Sequence, residues 1–180
     1  MSILRFLGLD PARSAPSQSS AETETVRKIV GALDKLEPER AKFIASFAYI
    51  LSRAARADLH ISPEETHAME QIVMEKGGLP EEQAVIVVQM AKTQSILFGA
   101  TENYLVTREF NNIATRDEKM ALLHCLFAVS SADQSVSTVE DSEIRQIASE
   151  LKIEHPDFIR VRTSYREHLA VLKKPPVPER

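Results

Sequence analysis

Apolar side chains recur along most of the chain at the three- and four-residue spacing that places them on one face of an α-helix. In one such stretch, Phe43, Phe47, Ile50, Leu51 and Ala54 share a face. No segment is a convincing strand, and a content of 5 glycines in 180 residues disfavours a turn-rich β architecture. The pattern therefore predicts an all-α bundle of about seven to eight helices. The predicted helices cover residues 26–36, 38–54, 63–76, 80–91, 102–113, 116–131, 138–151 and 156–171.

Both ends of the chain lack this pattern. Residues 10–22 are rich in serine, proline and alanine, which is typical of a flexible linker. The division expected is a flexible segment over 1–22, a helical domain over 23–172 and a flexible tail over 173–180. Residues 1–9 are apolar but too short for a secretory signal, so they allow at most a peripheral membrane contact.

The chain resembles itself when it is shifted by 75 positions. Between residues 51 and 75, eight residues recur identically 75 positions later. They fall on equivalent places in two helix–turn–helix units, which indicates a structural repeat. The identical pairs are Leu51 and Leu126, Ala57 and Ala132, Asp58 and Asp133, Ser62 and Ser137, Glu65 and Glu140, Gln71 and Gln146, Ile72 and Ile147, and Glu75 and Glu150.

The serine and the glutamate of each unit have the spacing of a helix capping box. Ser62 with Glu65, and Ser137 with Glu140, each stand three residues apart at a helix start. In such a box the serine oxygen accepts from the backbone N–H of the glutamate, and the glutamate accepts from the serine N–H. This local role explains the two glutamates without a ligand.

The two aspartates of the repeat are less easily explained by local structure. Asp58 and Asp133 each follow an apolar helix, so their carboxylates face the negative end of its dipole. They can accept hydrogen bonds from turn amides. They can also bind a cation, which would offset the unfavourable field. The sequence leaves both roles open.

The two acidic turns resemble the repeated Ala-Asp-Gly-x-Ile-x-x-x-Glu signature of TerB-like (tellurite resistance protein B-like) proteins. The matching segments are Arg-Ala-Asp-Leu-His-Ile-Ser-Pro-Glu-Glu at 56–65 and Ser-Ala-Asp-Gln-Ser-Val-Ser-Thr-Val-Glu-Asp at 131–141, and the segment 103–110 resembles a middle helix of an uncharacterised bacterial branch of that family. The resemblance extends over about residues 25–172. It implies an all-α fold, a cytoplasmic protein, an acidic patch where the turns approach, suspected metal binding, protein partners and a link to tellurite resistance and stress responses. It implies no enzymatic activity.

The chain departs from the signature at the glycine that follows the aspartate. Leu59 and Gln134 stand there, and without glycine the turn is expected to be strained or differently shaped. The residues carried over as candidate ligands are Asp58, Glu65, Asp133 and Glu140. They would hold a divalent cation such as Ca²⁺ or Mg²⁺, with Asp141 and Glu143 nearby. The spacing is not that of an EF-hand, because Pro63 occupies the glycine position of such a loop.

Charge and cysteine content narrow the function classes. A net charge of −4 disfavours nucleic acid as the main partner. The basic residues near the C-terminus are therefore interpreted as a solvated helix face; they are Arg160, Arg162, Arg166, Lys173 and Lys174. Cys125 lies in an apolar run beside His124, where neighbouring positions on a helix point about 100° apart and cannot act as a base–nucleophile pair.

Two hypotheses are favoured over a third, an enzyme of unrecognised type. The first is a non-catalytic interaction module whose acidic turns bind a divalent cation or a basic protein partner. The second is a purely structural or adaptor domain in which the acids serve only as caps and turns.

Overall fold

The computed structural model describes residues 20–54, 63–93, 103–132 and 134–172. These residues form eight α-helices and a short 3₁₀ helix, which confirms the all-α class and the helix count predicted from the pattern. Over the same ranges the only β contact is an isolated parallel bridge between Val136 and Leu169. The helices are α1 (Ser20–Leu33), α2 (Pro38–Ala54), α3 (Pro63–Glu75), α4 (Glu81–Lys92), α5 (Asn103–Ile113), α6 (Arg116–Ser130), α7 (Thr138–Glu150) and α8 (His155–Ser164), followed by the 3₁₀ helix Ala170–Leu172.

Helix α2 is the central element of the bundle. It contacts α4, α5, α6 and α7, and every residue from Phe43 to Ala54 is buried. A helix that is apolar nearly all round must be covered on all sides, which is why four other helices pack on it. The buried polar residues on α2 are few, and Arg53, with 2 % of its surface exposed, is the one that carries a charge.

Two groups of aromatic rings fill the bundle. Phe43 and Phe47 of α2 pack with Phe110 of α5, at ring-centroid distances of 5.2 Å and 6.3 Å from Phe110. Phe127 of α6 stacks on Tyr165, just after α8, at 5.5 Å. Each group joins helices that are distant in the chain, so both help to close the bundle.

The repeat seen in the sequence is also a repeat of structure. Helices α3 and α7 each have 13 residues and begin and end 75 positions apart. Both are followed by a residue with a left-handed backbone, Gly78 at φ 65° and Lys152 at φ 56°. Gly77 is required for a different reason, since a Cβ there would lie 2.4 Å from the carbonyl oxygen of Val73 and 3.2 Å from Cys125 Sγ.

Three details differ from the sequence-based expectations. The first described helix begins at Ser20, inside the segment expected to be flexible. The apolar pattern of α4 predicts Val85 on the inward face of the helix, but Val85 is 38 % exposed, whereas Val87 is fully buried and takes the inward position. The last helix ends at Ser164 rather than near residue 171.

The early end of α8 has a local cause. The backbone of Val136 pairs with the chain after α8, because its N–H donates to the His168 carbonyl at 2.7 Å and its carbonyl accepts from the Ala170 N–H at 2.9 Å. This pairing draws Leu169 into the core, where it is 1 % exposed. A continued helix would use those backbone groups internally and would leave the bridge unformed.

Candidate functional site

The four candidate ligands differ in how far the structure describes them. Asp58, within 55–62, and Asp133 lie outside the described residues. Glu65 lies in the first turn of α3, and its side chain is also outside the described part. Glu140 is described in full. The metal role of all four therefore stays a prediction. What the structure describes is the geometry of the residues that flank the two turns.

Glu140 forms the capping box predicted for the second unit. Its carboxylate accepts from the Ser137 N–H at 2.8 Å, and its own N–H donates to the Ser137 hydroxyl at 3.2 Å. The box fixes the start of α7 immediately after the second acidic turn. The first box, at Ser62 and Glu65, lies outside the described residues.

The turn before α7 keeps a glycine-like backbone without a glycine. Gln134, which stands where the family signature has glycine, has a φ of 67°. A side chain in this region costs about 1–2 kcal/mol relative to glycine. Of the two outcomes expected from the missing glycine, strain is the one found at this turn. Leu59, in the first turn, lies outside the described residues.

Asp141 is neutralised by an arginine from the next helix. Arg162 of α8 donates to it twice, from Nε at 2.7 Å and from Nη2 at 2.9 Å. Both side chains are largely buried, with 17 % of Arg162 and 11 % of Asp141 exposed. The interpretation of Arg162 as part of a solvated helix face was therefore wrong, because its guanidinium binds a carboxylate within the fold. Asp141 is already committed to this pair.

A second arginine joins the two units. Arg53, at the end of α2, donates from Nε to Glu143 at 2.8 Å. Its other two nitrogens donate to the two oxygens of Glu150, at 2.7 Å and 3.2 Å. The arginine side chain is 1 % exposed, against 31 % for Glu143 and 16 % for Glu150. All three donor groups of the fork are thus used by helix α7.

The electrostatics of this cluster favour the charged forms. Burial alone would lower the pKa of Arg53, but its hydrogen bonds to Glu150 and Glu143 more than compensate and raise it. Burial alone would raise the pKa of Glu150, but hydrogen bonds from Arg53, Gln146 and Thr107 lower it overall. The cluster therefore remains an ion pair with a hydrogen-bonded carboxylate at neutral pH.

Arg53 is not among the residues predicted from the sequence, although the chain carries a signal for it. Arg53 stands three residues after Ile50, which is fully buried, so the two share a helix face. A charged residue on a buried stripe needs partners of opposite charge. What the sequence could not indicate was that those partners come from α7, about ninety positions later.

The ion pair between Arg53 and Glu143 places the residues that flank the two acidic turns side by side. Arg53 is the residue before the last of α2, from which the chain enters the first acidic turn. Glu143 lies three residues after Glu140, one turn into the helix that leaves the second acidic turn. The 2.8 Å contact between Arg53 and Glu143 therefore joins the entry of one turn to the exit of the other.

Burial also shifts the pKa values of two other titratable groups of the core, Cys125 and His124. Burial raises the pKa of the Cys125 thiol to about 12, so it is protonated at neutral pH. Burial, with a smaller contribution from Lys76, lowers the pKa of His124. Within the described residues, no group of three or more histidine, cysteine, aspartate or glutamate side chains could hold a metal ion.

A comparison with models of protein families gives a match. The family model described as tellurite resistance protein TerB matches residues 44–163, which extend from the middle of α2 to near the end of α8. No curated protein and no solved structure matches the chain. Among the described helices, none is long and apolar enough to cross a membrane.

Proposed function

The chain belongs to the TerB family of tellurite resistance proteins, and from that premise we propose that it is a non-catalytic interaction module. Its two acidic turns would form one patch that binds a divalent cation or a basic protein partner. The residues assigned to the patch are Asp58, Glu65, Asp133 and Glu140. A cytoplasmic location and a part in tellurite or stress responses belong to the same proposal.

The observation that supports the patch most directly is the ion pair between Arg53 and Glu143. It joins the entry of the first turn to the exit of the second at 2.8 Å. Since Asp58 stands five positions after Arg53, and Asp133 ten before Glu143, a short chain connects each aspartate to this contact. Two carboxylates brought near each other attract a divalent cation or a cluster of lysines and arginines.

The pairing of the neighbouring acids narrows which groups a ligand would use. Asp141 is bound by Arg162, and Glu143 by Arg53. A ligand competing for Asp141 would leave the largely buried Arg162 unpaired, and one competing for Glu143 would break one hydrogen bond of the buried Arg53, which Glu150 also binds; both are costly. The proposal therefore relies on the two aspartates and on Glu65, with Glu140 sharing its carboxylate between the cap and the ligand.

The non-catalytic part of the proposal draws on the core chemistry. A thiol with a pKa of about 12 is a poor nucleophile at neutral pH, and Cys125 is buried. The backbone carbonyl of the neighbouring His124 accepts a hydrogen bond from the Tyr165 hydroxyl at 3.2 Å, and the His124 ring packs beside the Tyr165 ring. His124 thus serves packing between α6 and the segment after α8, whereas the Cys125 thiol lies 3.8 Å from the Ile72 carbonyl oxygen of α3.

The cation arm is tested by thermal unfolding of the metal-free protein with added Mg²⁺ or Ca²⁺. A ligand that binds the folded state raises the Tm by mass action. We expect such a rise in the wild type and its loss in the double variant Asp58→Asn with Asp133→Asn. The matched control is Asp34→Asn with Asp117→Asn, which makes the same charge change at two exposed aspartates elsewhere. An equal loss in the control would mean that bulk charge, and not the turns, attracts the ion.

The basic-partner arm uses a short oligolysine peptide as the probe, with binding measured by calorimetry at two ionic strengths. We expect binding that weakens with salt and is lost in the same double variant, because contacts between exposed charges are screened. If neither probe binds the wild type, the purely structural or adaptor role is favoured. Loss of folding in the double variant would point the same way.

A further inference from the structure

A pocket of about 470 Å³ is formed by the end of α8 and the chain that follows it. This volume is within the range of pockets that hold small organic molecules. The wall is partly polar, with two arginines, a threonine and a glutamate, and partly apolar, with two leucines. The lining residues are Arg162, Thr163, Arg166, Glu167, Leu169 and Leu172.

Most of these residues lie outside the part of the chain that matches the TerB family. That match ends at residue 163, and the lining residues from Arg166 to Leu172 follow it. We infer that the pocket binds a small aliphatic carboxylate, such as a medium-chain fatty acid, with the carboxylate at the arginines and the hydrocarbon against the leucines. This site goes beyond the proposed function and does not depend on a metal role of the acidic turns.

The wall of the pocket is held in place by contacts within the fold. The backbone bridge between Val136 and Leu169 fixes the chain after α8 against the turn before α7, and Leu169 is 1 % exposed. The Arg162 guanidinium is held by two hydrogen bonds to Asp141. Since these groups are already ordered, a ligand would lose little binding energy in ordering them.

The charge of the wall favours an anion. It carries two cations, Arg162 and Arg166, and one anion, Glu167. Asp141 pairs with Nε and Nη2 of Arg162, so Nη1 takes no part in that pair. Arg166 is exposed, and it belongs to none of the ion pairs among the described residues. Guanidinium groups bind carboxylates in parallel hydrogen bonds, and the small surplus of positive charge suits a singly charged carboxylate better than a doubly charged phosphate.

The polar groups of the wall other than the charged side chains are already used. The backbone N–H groups of Arg166, Leu169 and Leu172 donate within this segment, at 3.2 Å, 3.3 Å and 3.0 Å. The Thr163 hydroxyl donates to the Ile159 carbonyl at 2.7 Å. A bound peptide needs partners for its own backbone groups. A ligand whose only polar group is a carboxylate has no such need, so the wall fits it better.

Apolar side chains extend from the pocket onto the surface. Leu172, which lines the pocket, is 61 % exposed, and the neighbouring Val171 is 55 % exposed. They are two of the most exposed large apolar side chains of the described residues. Contact with a hydrocarbon chain would remove this apolar surface from water, which is favourable.

The test is a titration of the ¹⁵N-labelled full-length protein with octanoate, followed by NMR. We expect the largest changes in amide resonances at residues 162–172, with a Kd in the millimolar range or lower. Butanoate has the same carboxylate and four fewer methylenes. It should bind at least about tenfold more weakly, because each buried methylene contributes up to about fourfold. Octylammonium, which has the chain and the opposite charge, should bind more weakly as well.

Substitutions of exposed side chains assign the roles with little risk to the fold. Arg166→Gln should weaken octanoate binding about threefold, the size of one exposed ion pair, and Glu167→Gln should strengthen it by a similar factor. Leu172→Ser should weaken it about fivefold through lost apolar contact. Arg160→Gln is the matched control, because Arg160 is an exposed arginine of α8 that pairs with Asp157 and does not line the pocket. It should leave binding unchanged.

Several results would overturn the inference. One is the absence of changes at residues 162–172 up to about 10 mM octanoate. Another is equal binding of octylammonium, which would show that the leucines adsorb any hydrocarbon chain. Equal effects of Arg166→Gln and Arg160→Gln would show that overall charge, and not the pocket, attracts the anion. Tighter binding of acetyl-Leu-Leu with a free carboxylate than of octanoate would replace the fatty acid with the end of a peptide.

Discussion

The two units of the repeat have the same helical frame but differ in the residues that follow its second helix. Helices α3 and α7 coincide in length and in register, and each is followed by a left-handed residue. In the first unit this residue is Gly78, three positions after the helix end, whereas in the second it is Lys152, two positions after the helix end. Glycine adopts this backbone without cost, but a lysine does not. The frame is thus set by packing that outweighs a local backbone preference.

The units also differ in how they satisfy one buried polar position. Thr66 of α3 and Asp141 of α7 stand 75 residues apart and are 9 % and 7 % exposed. Thr66 accepts from Lys92 at the end of α4, at 2.8 Å. Asp141 accepts from Arg162 near the end of α8. In both units a cationic side chain from the following helix donates a hydrogen bond to the residue at this position. Both the buried acceptor and its cationic donor differ between the units, but the buried residue has a donor in each.

The largest expected effect comes from Arg53, which has no counterpart in the second unit because Ala128 stands 75 positions later. Arg53→Met removes a buried cation and leaves two carboxylates without it, so we expect a loss of about 3–5 kcal/mol in unfolding free energy. Arg162→Met should cost less, because more of that side chain is exposed. Urea denaturation of both variants measures the difference. Equal costs would show that the ion pairs of Arg53 with Glu143 and Glu150 are no more important for stability than the pair of Arg162 with Asp141.

An exchange of the left-handed residues should have an intermediate effect. Gly78→Ala meets no atom within 4 Å, so its cost reflects backbone strain alone, which we estimate at about 1 kcal/mol. Lys152→Gly and Gln134→Gly should each stabilise the protein by roughly 0.5 kcal/mol, since relief of strain exceeds the added flexibility of the unfolded chain. Thermal and urea unfolding test the signs. If Lys152→Gly destabilises the protein, the lysine side chain contributes more than its backbone strain costs.

The smallest expected effect is a pH dependence specific to the second unit. His124 stands 75 residues after Tyr49, so the second unit carries an imidazole where the first has a phenol. Burial, with a smaller contribution from Lys76, lowers the pKa of His124 from its ordinary value of 6.5. The unfolded chain therefore takes up the proton more readily, and the stabilisation present above pH 6.5 is lost as the pH falls.

Protonation of His124 as the pH falls should lower the Tm by about 2 °C or less. This decrease should disappear in His124→Gln. A second loss follows below pH 4.5, because hydrogen bonds from Arg53, Gln146 and Thr107 outweigh burial and lower the pKa of Glu150 from 4.5 in the folded state. That loss should remain in His124→Gln. A Tm that rises between pH 7 and 5 would contradict the assigned direction of the His124 pKa.

Much of the fold could be predicted from the sequence because helices are encoded locally. The apolar spacing gave the helix count, and the 75-residue repeat gave the correspondence of α3 and α7. The capping box at Ser137 and Glu140 was also predictable, since its partners are three residues apart. For the candidate site, the sequence names the two aspartates, whose metal role stays a prediction. It does not identify the neighbouring acids Asp141 and Glu143 as members of ion pairs.

What the sequence by itself determined was the set of helices, their repeat and their local caps, all of which depend on residues a few positions apart. The tertiary structure alone decided that Arg53 meets Glu143 and Glu150, that Asp141 is neutralised by Arg162, and that Val136 pairs with the chain after α8. The physical reason is that these partners lie far apart in the chain, and only the packing of the whole bundle brings buried charges and backbone groups within hydrogen-bonding distance.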